Sequence, residues 1–242
     1  MRGSITKGME HASGQMYLEV TSMTFKVNVK AGTSLSQLRL FYGRPEHCQI
    51  SGHELYKTVL LSEKNGQPDN CLRVDLTKTN VMGKKVSAFR AKRSCEQAIN
   101  LWGKKSVKPV DFWDFDVSDK KNRLSITPTN FYILRSKERI FLPQGVCVYC
   151  RAIDETIGEM RIHYAGFVHP FFGFKKERDA EKGTPLIFEV RGHDVSVVLN
   201  DNETLAKLTF YRMSEDCEQE GLSDYCEQIL KLSKFFEDFP EN

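Results

Sequence analysis

The sequence predicts an all-β chain ended by one short C-terminal helix, and three observations carry that expectation. Most of the chain falls into short runs of β-branched and aromatic residues with turn formers between them. Within those runs apolar side chains recur with period 2, as a strand with one buried face requires. One such stretch is also used twice, far apart in the chain.

Taken in order, the first fifteen residues, MRGSITKGMEHASGQ, lack the apolar centre of a secretory signal and read as a loose leader. Residues 16–42, MYLEVTSMTFKVNVKAGTSLSQLRLFY, can be laid over 186–212 at an offset of 170 without a gap. Glu19 then meets Glu189, Val20 meets Val190, Leu35 meets Leu205 and Leu38 meets Leu208, and the pattern of three strands agrees. The second copy has a long run-up that the first lacks, so the first copy is expected to be the tail of a truncated domain. Residues 16–100 are therefore read as the remnant of a first repeat with its connector. Residues 101–242 are read as a second repeat with its C-terminal tail.

Further strands are expected at LRVDLT (72–77), RLSITP (123–128), FYILRS (131–136), RIFLP (139–143), VCVYCRA (146–152) and MRIHYAGF (160–167). The helix is expected near the end, where Leu222, Tyr225, Ile229, Leu232 and Phe236 recur at spacings of 3, 4, 3 and 4.

Composition narrows the function. The chain has 242 residues, 40% hydrophobic and 28% charged, an ordinary globular balance. The net charge of +3 gives no bulk reason to expect a nucleic-acid partner, and no apolar run approaches the ~18 residues of a membrane span. The seven cysteines are scattered and odd in number, which suits reduced thiols and a cytoplasmic location. Charge is uneven along the chain: residues 84–108 hold eight Lys or Arg against one Glu. From 214 onward, nine Asp or Glu face two Lys. Solvated faces of opposite sign explain this plainly; the alternatives are a nucleic-acid patch, or a basic stretch that serves phosphates and the acidic tail of a neighbouring subunit.

No zinc site bound by protein residues is expected. Cys147 and Cys150 are three apart on a strand and so point to opposite faces, no second pair stands at ligand spacing, and the zinc nucleobase deaminase signature is absent. The chemistry-bearing candidate is instead a carboxylate in an apolar strand, Glu189 in LIFEV, with Glu19 in MYLEV at the matching repeat position. Burial of such a Glu raises its pKa toward that of a general base.

FYILRSKERIFLP, IGEMRIHYAGFVHP, LIFEV and the distal LAKLTFYRM together resemble the dCTP deaminases of the dUTPase-like superfamily, in their long, two-repeat bacterial form. MYLEV, SLSQLRL, DFW (111–113) and YCEQILKLSKFF (225–236) resemble further motifs of that form. The resemblance implies a distorted jelly-roll or β-clip barrel, a homotrimer, and deoxynucleotide sites for dCTP or dUTP between barrels. It also implies metal-free deamination at C4 of cytosine, with Mg²⁺ carried only by the triphosphate. By position the water-activating base is Glu189. His163, Tyr164, Ala165 and Gly166 form the turn against base and sugar, with Ile187 and Phe188 beside it. Gly166 admits the nucleotide because it has no Cβ. Tyr225, Gln228 and Lys231 match tail residues that close over phosphates.

Four residues depart from the family pattern. His169 stands where the family has the Asp that holds the deoxyribose 3′-hydroxyl, and Phe171 replaces the Gly after the turn's Pro. Ala152 and Thr156 fall where single-repeat members place a phosphate-gripping Ser and Arg. Three activities are consistent with these motifs: a dCTP deaminase, a dUTPase-like diphosphatase, or a nucleotide-binding relative without catalysis.

Overall fold

A computed structural model describes residues 15, 17–35, 39–61, 69–153, 160–163, 166–174, 183–217 and 230–240. In chain order the strands begin with β1 (Val27–Asn28) and β2 (Gln49–Ile50), after a single 3₁₀ turn at Pro45–Cys48. Helix α1 (His53–Val59) leads into β3 (Leu60–Leu61), β4 (Cys71–Asp75), β5 (Thr79–Val81), β6 (Lys84–Val86), β7 (Ala88–Ala91) and β8 (Ile99–Asn100). The helical turn α2 (Pro109–Phe112) precedes β9 (Trp113–Asp116), β10 (Arg123–Ile126), β11 (Phe131–Ile140), β12 (Val146–Ala152) and β13 (Met160–His163). The last strands are β14 (Phe167–Val168), β15 (Thr184–Gly192), β16 (Val197–Asn200) and β17 (Thr204–Arg212). Among the described residues no helix is long and apolar enough to cross a membrane.

One curled sheet dominates, with the path β13-β15-β11-β4-β17-β12-β14. Its two ends, β13 and β14, are separated in sequence only by residues 164–166, so the sheet curls back on itself. That is the barrel-like architecture expected. β4 sits between β11 and β17, and β7 links β11 to β9, so strands on both sides of residue 100 share this sheet.

The alternation of β15 explains how the sheet divides two cores. Thr184, Leu186, Phe188 and Val190 are buried on one face, where Phe188 and Val190 join Leu134, Leu208 and Phe210 in the main core. Ile187 and Glu189 face the other way. There Ile187 packs on a smaller, aromatic core built from Phe89, Phe112, Trp113, Ile133 and Phe236.

Several expectations are corrected. FYILRS and the first two residues of RIFLP lie in one strand, β11, whose pairing with β15 shifts register between Arg135 and Arg139; residues 141–143 lie beyond its end. The side chain of Ser136 fills that irregularity, accepting from the Leu186 amide at 2.8 Å and donating to the Glu138 carbonyl at 2.7 Å. The three strands expected within 16–42 reduce, among the described residues, to β1, which pairs in parallel with β8. Their counterparts β15, β16 and β17 have β11, β10 and β12 as partners; Leu40 and Tyr42 in the first copy stay 76% and 87% exposed. In the expected C-terminal helix, Leu222, Tyr225 and Ile229 lie outside the described residues. From Leu230 the chain is irregular with a turn at 234–235, and Phe236 makes a parallel bridge to Val107. Helix α1 was not foreseen: its seven residues have no side-chain cap, and it is held by Leu55 and Tyr56 against the main core.

Candidate functional site

Glu189 projects from the middle of β15, with Ile133 of β11 as its register partner on one side and His163 of β13 on the other. Its carboxyl is largely buried, and that desolvation pushes its pKa from 4.5 up to about 7. Glu19, at the matching repeat position, is exposed. The environment, rather than the local sequence pattern, separates the two.

Glu189 lines a cleft of about 1700 Å³ that also takes in Gly166, His169, Ile187 and Lys231. The structure thus brings together five of the residues singled out from sequence. The Phe188 side chain is the exception, because it lies fully buried in the main core and turns away from the cleft. It can serve this side of the sheet only through its backbone. For His163 the structure gives the backbone pairing alone; Tyr164, Ala165, Tyr225 and Gln228 lie outside the described residues.

The turn that follows Gly166 is held by backbone bonds and aromatic packing. The Gly166 carbonyl accepts from the Cys150 amide at 3.1 Å, which ties this turn to β12. His169 contacts the Pro170 carbonyl through Nδ1 at 2.7 Å and meets Phe172 edge-on. Phe171 adopts φ +64°, a left-handed conformation that costs a residue with a Cβ about 1–2 kcal/mol. Its amide donates to the Leu142 carbonyl at 3.0 Å, and its ring packs edge-on against Phe174. These contacts hold Phe171 in that conformation.

Sequence reasoning missed much of the cleft's other wall. Ser22 to Phe25 line it from the N-terminal segment. Arg191 donates to the Met23 carbonyl and, at 3.1 Å, to the Thr24 hydroxyl, holding that segment to the face of β15 that carries Glu189. The Phe25 ring packs edge-on to both Phe112 and Trp113. Arg39 lies between the rings of Tyr149 and Phe167, 4.2 Å from each centroid. On the tail side, the Lys105 and Ser106 amides donate to the carbonyls of Lys234 and Phe235. This pairing gathers Lys104, Lys105, Lys231 and Lys234 at the cleft, beside Glu237 and Asp238. Two of these lysines come from the basic stretch 84–108, and Lys105 is paired with Asp238. No spacing in the sequence links residues 104 and 234, so only the charge of that stretch hinted at its place.

Elsewhere the chemistry is quiet. Burial raises the Cys147 thiol to about 11 and the Cys150 thiol to about 12, which keeps both protonated at neutral pH. Among the described residues, no three His, Cys, Asp or Glu side chains are grouped to hold a metal ion.

Residues 48–236 match the family described as 2'-deoxycytidine 5'-triphosphate deaminase (DCD), C-terminal domain, and residues 4–44 match the corresponding N-terminal domain. Among solved structures, the chain is similar to the 2'-deoxycytidine 5'-triphosphate deaminase from Agrobacterium tumefaciens, with 26% identity and a TM-score of 0.58. That likeness covers 68% of this chain and 47% of the other, so this chain spans about half of its relative's length. No curated protein matches.

Proposed function

The chain belongs to the 2'-deoxycytidine 5'-triphosphate deaminase family, and from that premise we propose that it hydrolyses dCTP to dUTP and ammonia with Glu189 as general base. The observation that carries this reading is a carboxyl group held near pKa 7 on the cleft face of β15. A base with that pKa is about half ionised at neutral pH and accepts a proton readily in the transition state. The Glu189 carboxylate takes a proton from water as the water oxygen bonds to C4 of cytosine. The same proton is then delivered to the exocyclic nitrogen, the C4–N bond breaks and ammonia leaves, while the remaining hydroxyl proton passes to N3 as the C4 carbonyl forms.

Gly166, without a Cβ, lets base and sugar approach the backbone of the turn. The cleft lysines suit a triphosphate that brings its own Mg²⁺ as part of the substrate. His169 offers an imidazole to the sugar hydroxyl in place of the family's carboxylate. The assembly is read as a homotrimer, in which neighbouring copies cover apolar side chains such as Tyr17 and Tyr42, 79% and 87% exposed in the single chain. The location is read as cytoplasmic, in keeping with the six described cysteines, all free thiols.

His169 also favours a second reading, a relative that binds nucleotide without turning it over. Chromatography of dCTP and dUTP after incubation with the protein separates the outcomes. dUTP supports deamination, and its loss in Glu189→Gln supports the assigned base. dUMP would indicate a diphosphatase instead. No product, with retained binding, would leave only the binding relative.

A further inference from the structure

Trp113 opens β9 at the heart of the aromatic core, and only 5% of its surface is exposed. Its indole Nε1–H is closed off from water and has no hydrogen-bond partner among the described residues. A buried donor left in that state is costly, and few native groups tolerate it without a purpose. Trp113 lines the same cleft as Glu189 and Gly166. Its ring is fixed by Phe25, Phe131 and Phe236, with centroids 5.2, 6.2 and 5.8 Å away. Phe25 and Phe236 come from the N-terminal segment and the tail, and each segment is attached by short pairings, β1 with β8 and Phe236 with Val107.

We propose that the Trp113 indole N–H is a recognition donor for the nucleotide, reached when the ligand parts Phe25 or Phe236 and accepted by an uncharged oxygen of the base or sugar. This rests on the nucleotide reading of the cleft. The donor selects a ligand that presents an acceptor at that point, because an analogue lacking one leaves the N–H as unsatisfied as in the free protein. Trp113 is thus a specificity-determining residue, distinct in role from Glu189.

The test uses dCTP binding to the full chain in the Glu189→Gln background, so that turnover does not interfere. The chain has two tryptophans, and ¹⁵N-indole labelling gives each one a signal. Trp113→Phe, which keeps the ring and removes the donor, assigns the signal of Trp113 by its loss. With dCTP, the Trp113 N–H signal is expected to move downfield while that of Trp102 stays. Calorimetry should show Trp113→Phe binding dCTP about 3- to 10-fold more weakly. Its ligand-free melting temperature should be unchanged or higher, because an unpaired buried donor has been removed. Equal affinity in parent and variant, or a Trp113 signal that dCTP does not move, overturns this inference alone. No dCTP binding by the parent overturns it together with the nucleotide reading. Should the Phe variant fail to fold, Trp102→Phe assigns the two signals by exclusion and the shift in the parent spectrum still decides.

Discussion

Glu189→Gln should change stability and activity in opposite directions, and the stability effect should carry its own pH signature. Burial raises the Glu189 pKa from 4.5 to about 7 in the folded chain. The folded state therefore holds this proton more tightly than the unfolded state. Below pH 4.5 the carboxyl is protonated in both states and costs nothing. As pH rises toward 7, the unfolded chain gives up its proton first, and folding loses stability. Above about pH 7 the full cost of a buried carboxylate applies. At about 1.4 kcal/mol for each tenfold difference in proton affinity, the loss approaches about 3 kcal/mol, of which about 2–3 kcal/mol develops between pH 5 and pH 8.

Gln has nearly the same volume and no titration. The melting temperature of Glu189→Gln relative to the parent should therefore rise by about 5–10 °C as pH goes from 5 to 8. Any fixed cost of burying the amide cancels in that comparison. Over the same range kcat/KM of the parent should increase and level off above about pH 7, whereas the variant should lose about 10²- to 10⁴-fold in rate. Calorimetric scans of both proteins at the two pH values decide the physical claim. A pH-independent difference between them would refute a desolvated carboxyl, and full turnover in the variant would refute its role as base.

Three further outcomes are expected. Gly173 has φ +73°, and a Cβ there would overlap the Ile140 carbonyl oxygen and lie 2.9 Å from the Gly183 Cα; Gly173→Ala should cost at least about 2 kcal/mol, a fall of about 4–8 °C by calorimetry. Glu19→Gln should leave dCTP turnover within a few-fold of the parent, because Glu19 is exposed; equal losses at Glu19 and Glu189 would contradict the assignment of a single base. Light scattering at micromolar concentration should give three times the chain mass of 27.8 kDa, and a monomer would count against the trimer.

What the sequence revealed of the fold follows from where its information is local. In β15, alternation alone placed Leu186, Phe188 and Val190 opposite Ile187 and Glu189, because a strand buried on both faces still sorts side chains by parity. β4, β10 and β12 were legible for the same reason. The hairpin β5–β6 was not: Met82 and Gly83 make its turn with φ of 52° and 73°, and Met-Gly lacks the Asn-Gly or Asp-Gly signal of such a turn. Residues 16–42 show the opposite failure. They share the pattern of 186–212, yet among the described residues only Val27 and Asn28 form a strand, because strand propensity is realised only against a partner.

The candidate site was divided along the same line. Glu189 could be found because its oddity is local: a carboxylate two residues from Ile187 on one strand face. The rest of the cleft could not. Phe25, Trp113 and Phe236 are spread over most of the chain and meet only through tertiary packing, the first in a segment that looked like a relic. Their meeting gives that segment a physical role in this chain. With Arg191 anchoring Met23 and Thr24, it closes one wall of the cleft around Glu189. The desolvation that sets the Glu189 pKa is in turn a property of how completely the cleft wall excludes water. Loosening the segment should therefore lower that pKa toward 4.5 and move the rising limb of the pH–rate profile to lower pH. Arg191→Gln makes the change without touching Glu189, and an unshifted profile would show that the flanking strands alone set the base.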